Sequence, residues 1–495
     1  MATQRLTTPL HARTVGSLDA RVSVPKYERC GLRPSIVHIG VGGFHRAHLA
    51  TYIDELCSAG LRSWAIVGSG VLSNDKRMAD VLRSQDGLYS LIVRSAEETS
   101  VSVIGSLIDY TLASDDSARL IAQMASPETR IVSLTLTEGG YPVAEKTRQY
   151  DANVAPSGPT SAFGILVSAL ARRRENGSGP LTIVSCDNVV GNGDVARIAT
   201  LGVAEDRDPS LRNWIEESIP FPNSMVDRIT PATTDSDRTW LESEYGIVDG
   251  WPVVTEPFRQ WVLEDHFAGE RPPWEDVGVM VTSDVEPYEL MKLRLLNAGH
   301  STMAYLAALA GVERVDAAMT EPGINLFLRR FLEEEAGPVL PMVPGIDVPS
   351  YEASLIERFS NPAIGDQIAR LCLDGSAKFP KFLLPTVRAQ LVAGGPVTLS
   401  ALALAGWCQY LIGTADNGEP ISHSPDPDLV NARSYAGRAV TDPPSFLAYR
   451  SVFGDDLGSN SRFVGAFTEG LNSLRTKGVR KTLEDFLGAP EASPR

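Results

Sequence analysis

The sequence predicts an α/β domain built on a doubly wound parallel sheet over residues 1–285, followed by a mainly α-helical domain over residues 286–495. Three observations carry this. Short β-branched runs alternate with amphipathic helical segments from residue 35 to about 190, the pattern of a mostly parallel sheet with helices on its faces. The first of these runs passes through a cluster of glycines straight into a helix. From residue 286 onward helical periods dominate, divided by turn-rich passages at 337–349 and 414–428. At 495 residues the chain exceeds what one hydrophobic core supports, so two or more domains are required.

Residues 1–34 are polar and punctuated by proline, and are expected to wrap the first domain. Ser35 to Ile39 reads as a buried strand. Gly40, Gly42 and Gly43 then make a tight turn, and a helix follows from Phe44, with Leu49, Ile53 and Leu56 at helical spacing. Strand, glycine turn and helix open a Rossmann-type dinucleotide-binding domain. The glycines let backbone N–H groups approach a pyrophosphate, and the helix N-terminus adds partial positive charge. The third glycine of G-x-G-x-x-G is replaced by His45. Arg46, beside the turn, is a candidate phosphate contact. His45 and His48 lack an acid or cysteine to complete a metal site, and no metal is expected. Ser63 to Gly68 is the second strand. Such a strand should be followed by an acid for the ribose hydroxyls, and the first one is Asp75, after Asn74 and before Lys76 and Arg77. One acid beside two bases leaves NAD and NADP both open.

Tyr89 to Val93 and Val101 to Ile104 read as a hairpin or sheet edge, and Ser114 to Met124 as an amphipathic helix. Ile131 to Thr137 is a buried strand running into Glu138, Gly139, Gly140 and Tyr141. This places Glu138 and Gly139 at the carboxyl edge of the sheet, where ligands bind in such folds. A helix is expected from Ala162 to about Glu175. Leu181 to Ser185 is the next strand, followed by Cys186, Asp187 and Asn188, with Asn188 a candidate donor to a substrate oxygen. Asp227 and Arg228 lie between the turn prolines Pro222 and Pro231, Gly250 to Asp265 reads as a short strand and a helix, and Val277 to Thr282 as a last strand. Helices are expected over 316–335, 351–373 and 397–412, with Arg370 and Lys378 framing a loop over 371–377.

Glu286 to Gly311 reads as one helix, with Pro287 at its start and Gly311 at its end. Turned at about 100° per residue from Lys292, His300 lies at about 80°, Glu289 at about 60° and Asn297 at about 140°. Lysine, carboxylate, imidazole and amide therefore share one side of the helix, among Leu293 and Leu296. Polar groups on an apolar face are costly to bury unless paired. A structural network is the plain alternative. A lysine in a half-buried cleft, however, loses ammonium character and can accept a proton from an alcohol.

The balance of 45 basic against 61 acidic residues gives a formal charge of −16, which argues against nucleic acid or an anionic membrane as partner. The first twenty residues have no apolar core of a signal peptide, and no apolar run reaches membrane-spanning length, so a cytoplasmic protein is expected. The five cysteines are scattered without a C-x-x-C pair, consistent with free thiols and against a cysteine-based zinc site. No sustained heptad is present, and a monomer is expected. A phosphate-binding transferase lacks its G-x-x-x-x-G-K-[ST] motif.

The stretches GVGGFHRAH (40–48), TEGGY (137–141), SCDN (185–188), NSMVDRITP (223–231), WPVV-x-EPF (251–258), KLRLLNAGH (292–300) and SAKFPKF (376–382), spread over most of the chain, together resemble the long-chain polyol-specific dehydrogenases and reductases. The resemblance implies zinc-independent, NAD-dependent interconversion of a polyol and a ketose, with mannitol and fructose the expected pair. It also implies an active site in the cleft between the two domains. By the same resemblance Lys292 is the general base, and Asn188 and Asn297 bind the developing alkoxide. His300 helps hold the hydroxyl, and Glu289 lies on the proton's route to solvent. Asp227, Arg370 and Lys378 hold the remaining substrate hydroxyls. Where NAD-preferring relatives carry two acids, this chain has Asn74 and Asp75, which keeps NADP as an alternative. The basic pair Arg370 and Lys378 makes fructuronate reductase a rival, beside arabinitol or sorbitol dehydrogenase. A lapsed dinucleotide-binding protein is the non-enzymatic alternative, against which the intact lysine, asparagines and histidine speak.

Overall fold

The structure, a computed structural model, describes residues 7–488. The chain divides between Glu286 and Pro287 into two compact units.

The first unit is organised on a five-stranded parallel sheet whose order across the sheet is Thr182–Ser185, Ile131–Leu134, Ile36–Ile39, Ile66–Gly70, Leu107–Leu112. In chain order this is 5-4-1-2-3. The winding reverses between Ile36–Ile39 and Ile131–Leu134, and sheets of this topology bind ligands at such a reversal, beyond the carboxyl ends of the strands. Successive side chains point to opposite faces, and each face has its own core. Ile36, Ile131 and Val184 pack with Ile53, Leu56 and Trp261, while Val37, Val132 and Ile183 pack with Leu166, Leu170 and Ala196. The hairpin Tyr89–Arg94 and Thr99–Ile104 takes Val253–Thr255 as a third, parallel strand. A second small sheet joins Ser224–Asp227, Gln260–Glu264 and Met280–Thr282. The helix expected within 250–265 is therefore absent. Pro252 and Pro257 interrupt any helical run, and the apolar stretches on either side pair as strands.

Arg173, on the helix Ala162–Asn176, shows how a buried charge holds this unit together. It is 1% exposed. Its guanidinium donates to the carbonyls of Met124, Ser126, Thr129, Ser178, Gly179 and Pro180 at 2.6–3.2 Å. A planar fork of five N–H donors suits a ring of carbonyls, and no carboxylate is needed.

The second unit is helical. Thr398–Ile412 is apolar all round and buried along most of its length. Ala298–Leu309 and the 27-residue segment Ser461–Leu487 pack against it. Its start is capped by the buried carboxylate of Glu335, which accepts from the N–H groups of Leu399 and Ser400 at 2.7 and 2.8 Å. The helix expected over 351–373 is two elements, Val348–Phe359 and Ile368–Leu371, because Pro362 and the left-handed Gly365 break the run. The loop expected over 371–377 is mostly taken up by helix ends. Arg370 lies on Ile368–Leu371 and Lys378 on Gly375–Phe382, which starts after Asp374 at φ +55°.

Glu352 is buried on Val348–Phe359, with an oxygen against the Gly337 backbone. Burial, and then the charge of Glu333, push its carboxyl up to about 7. An acid that holds its proton more tightly folded than unfolded stabilises the fold at low pH. That contribution fades as pH rises from its ordinary value through about 7. Glu352→Gln is expected to raise the melting temperature more at pH 7.5 than at pH 5, by roughly 2–4 °C, as about 1 kcal/mol would. An equal effect at both pH values would show that the carboxyl is not held protonated.

Candidate active site

The glycine turn follows the strand Ile36–Ile39. Gly40 has φ +96°, and a Cβ there would lie 2.1 Å from the Thr135 carbonyl oxygen, so no other residue fits. Thr135 answers by donating its hydroxyl to the Gly40 carbonyl at 2.6 Å. Gly42 precedes the short helix Gly43–Ala47, and a Cβ on Gly43 would make only ordinary contacts. The helix expected to run on from Phe44 breaks at His48 and resumes as Leu49–Ser58. Phe44 stacks on His48, which bonds the Gln260 carbonyl at 3.0 Å.

Arg46 does not face this turn as a phosphate ligand. It is fully buried, bonded to the carbonyls of Trp251 and Gly42 and set over the Tyr89 ring. Proximity in sequence to the glycines suggested a ligand contact, but helical geometry turns the side chain inward. His45 is also fully buried and stacks on His38 with ring centroids 3.6 Å apart. Burial holds both imidazoles neutral, that of His38 down to about 3. Among the described residues no group of three or more His, Cys, Asp or Glu could hold a metal ion.

The carboxyl edge of the same sheet carries most of the other predicted residues of this unit, and Asp227 lies on the small sheet of Ser224–Asp227, Gln260–Glu264 and Met280–Thr282. The strand expected to end at Gly68 runs on to Gly70, and Asp75 sits against it, accepting from the Leu72 N–H at 2.8 Å. Lys76 pairs with Asp80 at 3.2 Å, and the Arg77 guanidinium lies 4.7 Å from the Trp251 ring. Thr137, Glu138 and Gly139 are exposed on the turn that follows Ile131–Leu134. Asn188 is exposed just beyond the end of Thr182–Ser185. Asp227 ends Ser224–Asp227 and is buried. Two residues not singled out in the sequence tie these ends together. Asn192 donates its amide to the carbonyls of Asp187 and Ser224 at 3.0 and 2.8 Å. The Asp187 carboxylate accepts from the N–H groups of Leu136 and Thr137, both at 2.8 Å. A polar residue directly after a buried strand was the only signal for Asp187. Arg228, next to Asp227, donates to the carbonyls of Ala47 and Glu256, so it braces the chain from behind. A glycine turn whose first residue, Gly40, admits no side chain, at the reversal point of a doubly wound sheet with an acid beyond the next strand, fits a dinucleotide.

In the second unit the expected continuous α-helix differs at its centre. Glu286–Met291 is α-helical, Lys292–Asn297 is a π-helix, and Ala298–Leu309 is α-helical again. The Ala298 N–H donates to the Leu293 carbonyl, five residues back. A π turn rotates less per residue than an α turn, so Asn297 lies one turn below Lys292 rather than well round the helix. Glu289 and Lys292 are three apart in α geometry, and Asn297 and His300 likewise, which lines up all four. Glu289 and Lys292 are buried. The side-chain amide nitrogen of Asn297 is buried without a hydrogen-bond partner among the described residues. The His300 ring stacks on Phe359 at 4.0 Å. Arg370 is bonded through two nitrogens to both oxygens of Asp366, and Lys378 Nζ donates to the Leu371 carbonyl at 3.3 Å.

The model of the mannitol dehydrogenase Rossmann domain matches residues 34–276, and that of the mannitol dehydrogenase C-terminal domain matches residues 284–475. The chain is 42% identical to a mannitol 2-dehydrogenase of Phaeosphaeria nodorum over 492 residues, covering 97% of this chain and 86% of that protein. It is 43% identical to one of Aspergillus fumigatus over 483 residues, covering 94% and 96%. A Pseudomonas fluorescens mannitol 2-dehydrogenase, solved as a ternary complex with NAD and D-mannitol, superposes with a TM-score of 0.87 at 41% identity, covering 98% of this chain and 100% of that one. A D-sorbitol dehydrogenase in substrate-free form gives 0.89 at 36% identity, covering 96% and 100%. The two domain models cover most of the chain in the order in which its two units were found, and the chain belongs to the mannitol dehydrogenase family.

Proposed function

We propose that this protein is an NAD-dependent, zinc-independent polyol dehydrogenase interconverting D-mannitol and D-fructose, with Lys292 as general base. The observation that carries the reading is the π turn, which aligns a buried lysine with the unpartnered amide of Asn297. The full-length relatives named mannitol 2-dehydrogenase and the related ternary complex support the substrate pair and the cofactor. Gly40, Gly42 and Gly43 would take the pyrophosphate, Asp75 the ribose, and Glu138 and Gly139 the edge of the crevice. Lys76 and Arg77 both have partners within the protein, which favours NAD over NADP.

When bound, the nicotinamide exchanges hydride with the carbinol carbon. Lys292 Nζ takes the hydroxyl proton, and Glu289, one turn away, passes it toward solvent. The amides of Asn297 and Asn188 stabilise the alkoxide, and His300 holds the hydroxyl. Asp227, Arg370 and Lys378 bind the other hydroxyls. A uronate carboxylate would call for two available cations. Arg370 is neutralised by Asp366, so the Arg370 and Lys378 pair suits a neutral polyol chain better than a sugar acid. A cytoplasmic monomer completes the reading, on the acidic charge and the lack of a sustained heptad pattern.

A positioned base contributes roughly 10²–10⁴-fold and one donor to a developing oxyanion about 10²–10³-fold. Lys292→Ala is therefore expected to lose more turnover than Asn188→Ala or Asn297→Ala, and a Lys292→Ala enzyme keeping most of its turnover would remove the base assignment. Polyol oxidation is expected to speed up with rising pH, because the base must be unprotonated to act; a flat profile from about pH 6 to 10 would speak against it. Following NADH consumption with fructose, fructuronate, tagaturonate and xylulose, and repeating with NADPH, tests the substrate. Fructose turnover with NADH is expected, whereas turnover of fructuronate alone would make this a sugar-acid reductase.

A further inference from the structure

Thr137 has φ +64° and ψ 165°, a backbone conformation that in practice belongs to glycine. Such a conformation persists only where the surroundings over-determine it. Here, beside the Gly140 N–H that donates to the Thr137 carbonyl at 3.1 Å, the restraint is one carboxylate. Asp187 Oδ1 accepts from the Thr137 N–H and Oδ2 from the Leu136 N–H, each at 2.8 Å. Oδ2 also accepts from the Tyr141 hydroxyl at 2.5 Å, and that hydroxyl lies 2.7 Å from Ser185 Oγ. Asp187 is 7% exposed, and no cation is among these partners. The donors are two consecutive amides at the near end of the turn and a side chain at its far end, so the carboxylate staples the whole passage from Leu136 to Tyr141. The staple closes across two strand ends. One is the turn bearing Glu138 and Gly139, next to the Gly40–Thr135 contact. The other is the chain that continues from Asp187 to Asn188, whose path is pinned by the Asn192 amide on the Asp187 carbonyl. Exposed residues of a turn do not need such a device to fold, since glycine at 137 would relieve the strain outright.

We propose that Asp187 is a positioning residue that holds the strained Thr137–Gly140 turn in its cofactor-binding shape and, through its own backbone, sets Asn188 for the alkoxide. This rests on the reading of the crevice as the NAD site. Asp187→Asn keeps the size but gives one of the two amide donors a facing NH₂ in place of an acceptor. The expected result with the purified full-length protein is at least about a tenfold weaker dissociation constant for NADH, measured by fluorescence titration, and a lower kcat for fructose reduction. Introduced into a Thr137→Gly background, where the turn needs no restraint, the same change is expected to weaken NADH binding at least about threefold less. NADH affinity and kcat within twofold of the parent in Asp187→Asn would overturn the proposal, whatever the change in melting temperature, and so would an equal loss in both backgrounds. If Asp187→Asn does not fold, amide hydrogen exchange of the parent decides. Leu136 and Thr137 N–H are expected to exchange as slowly as the neighbouring strand, and exchange at the rate of an open turn overturns the clamp. A parent that binds no NADH yet protects these amides would instead remove the dehydrogenase reading and leave the clamp as a purely structural device.

Discussion

The first unit depends on two backbones passing closer than any side chain allows. At Gly40 the chain leaves the first strand against the Thr135 carbonyl, with no space for a Cβ. That approach brings the ends of the two central strands together where the winding reverses. The crevice follows from it, because helices leave the two strands toward opposite faces and cannot cover the gap. The acid beyond the next strand, the exposed turn after Thr135 and the polar end at Asn188 matter chemically only because they share that edge.

Around this contact the protein handles buried charge in a consistent way. Arg173, Arg46 and Arg228 are buried and bonded to backbone carbonyls, while Asp187 and Glu335 are buried and bonded to backbone N–H groups. Each ion meets the polar ends of peptide groups at strand ends, helix ends and turns. The arrangement answers two demands at once, since stranded backbone groups gain partners and the charge is solvated without water. It also explains why Arg46, which by sequence looked like a ligand contact, is a structural residue.

Much of this was legible in the sequence. Period-two and period-3.6 patterns placed the parallel sheet and the helical half, and the glycine cluster marked the turn. What stayed hidden was set by non-local or sub-turn geometry. The apolar runs with two prolines between 250 and 265 read as a short strand and a helix because periodicity over so short a stretch does not separate helix from strand, and pairing across the sheet makes strands of both. The π turn is invisible to a fixed rotation per residue: Asn297 looked displaced from Lys292 only because every step was counted as α. Asp187 was passed over because its partners lie some fifty positions away in the chain.

The π turn has a consequence beyond the alignment of polar groups. Relative to an unbroken α-helix, it amounts to one surplus residue wound into a single turn. Everything after Asn297 is therefore rotated by about 100° from where an α-helix would carry it. It is in this rotated frame that Leu306 meets Gly406, where an added Cβ would come within 2.8 Å of the leucine. The phase of the core and the shape of the reactive turn are one and the same variable. Losing a residue from Lys292–Asn297 would regularise the helix locally and put the wrong face of Ala298–Leu309 into the core. Packing far from the reacting atoms thus acts as a ratchet that keeps the irregular turn from relaxing.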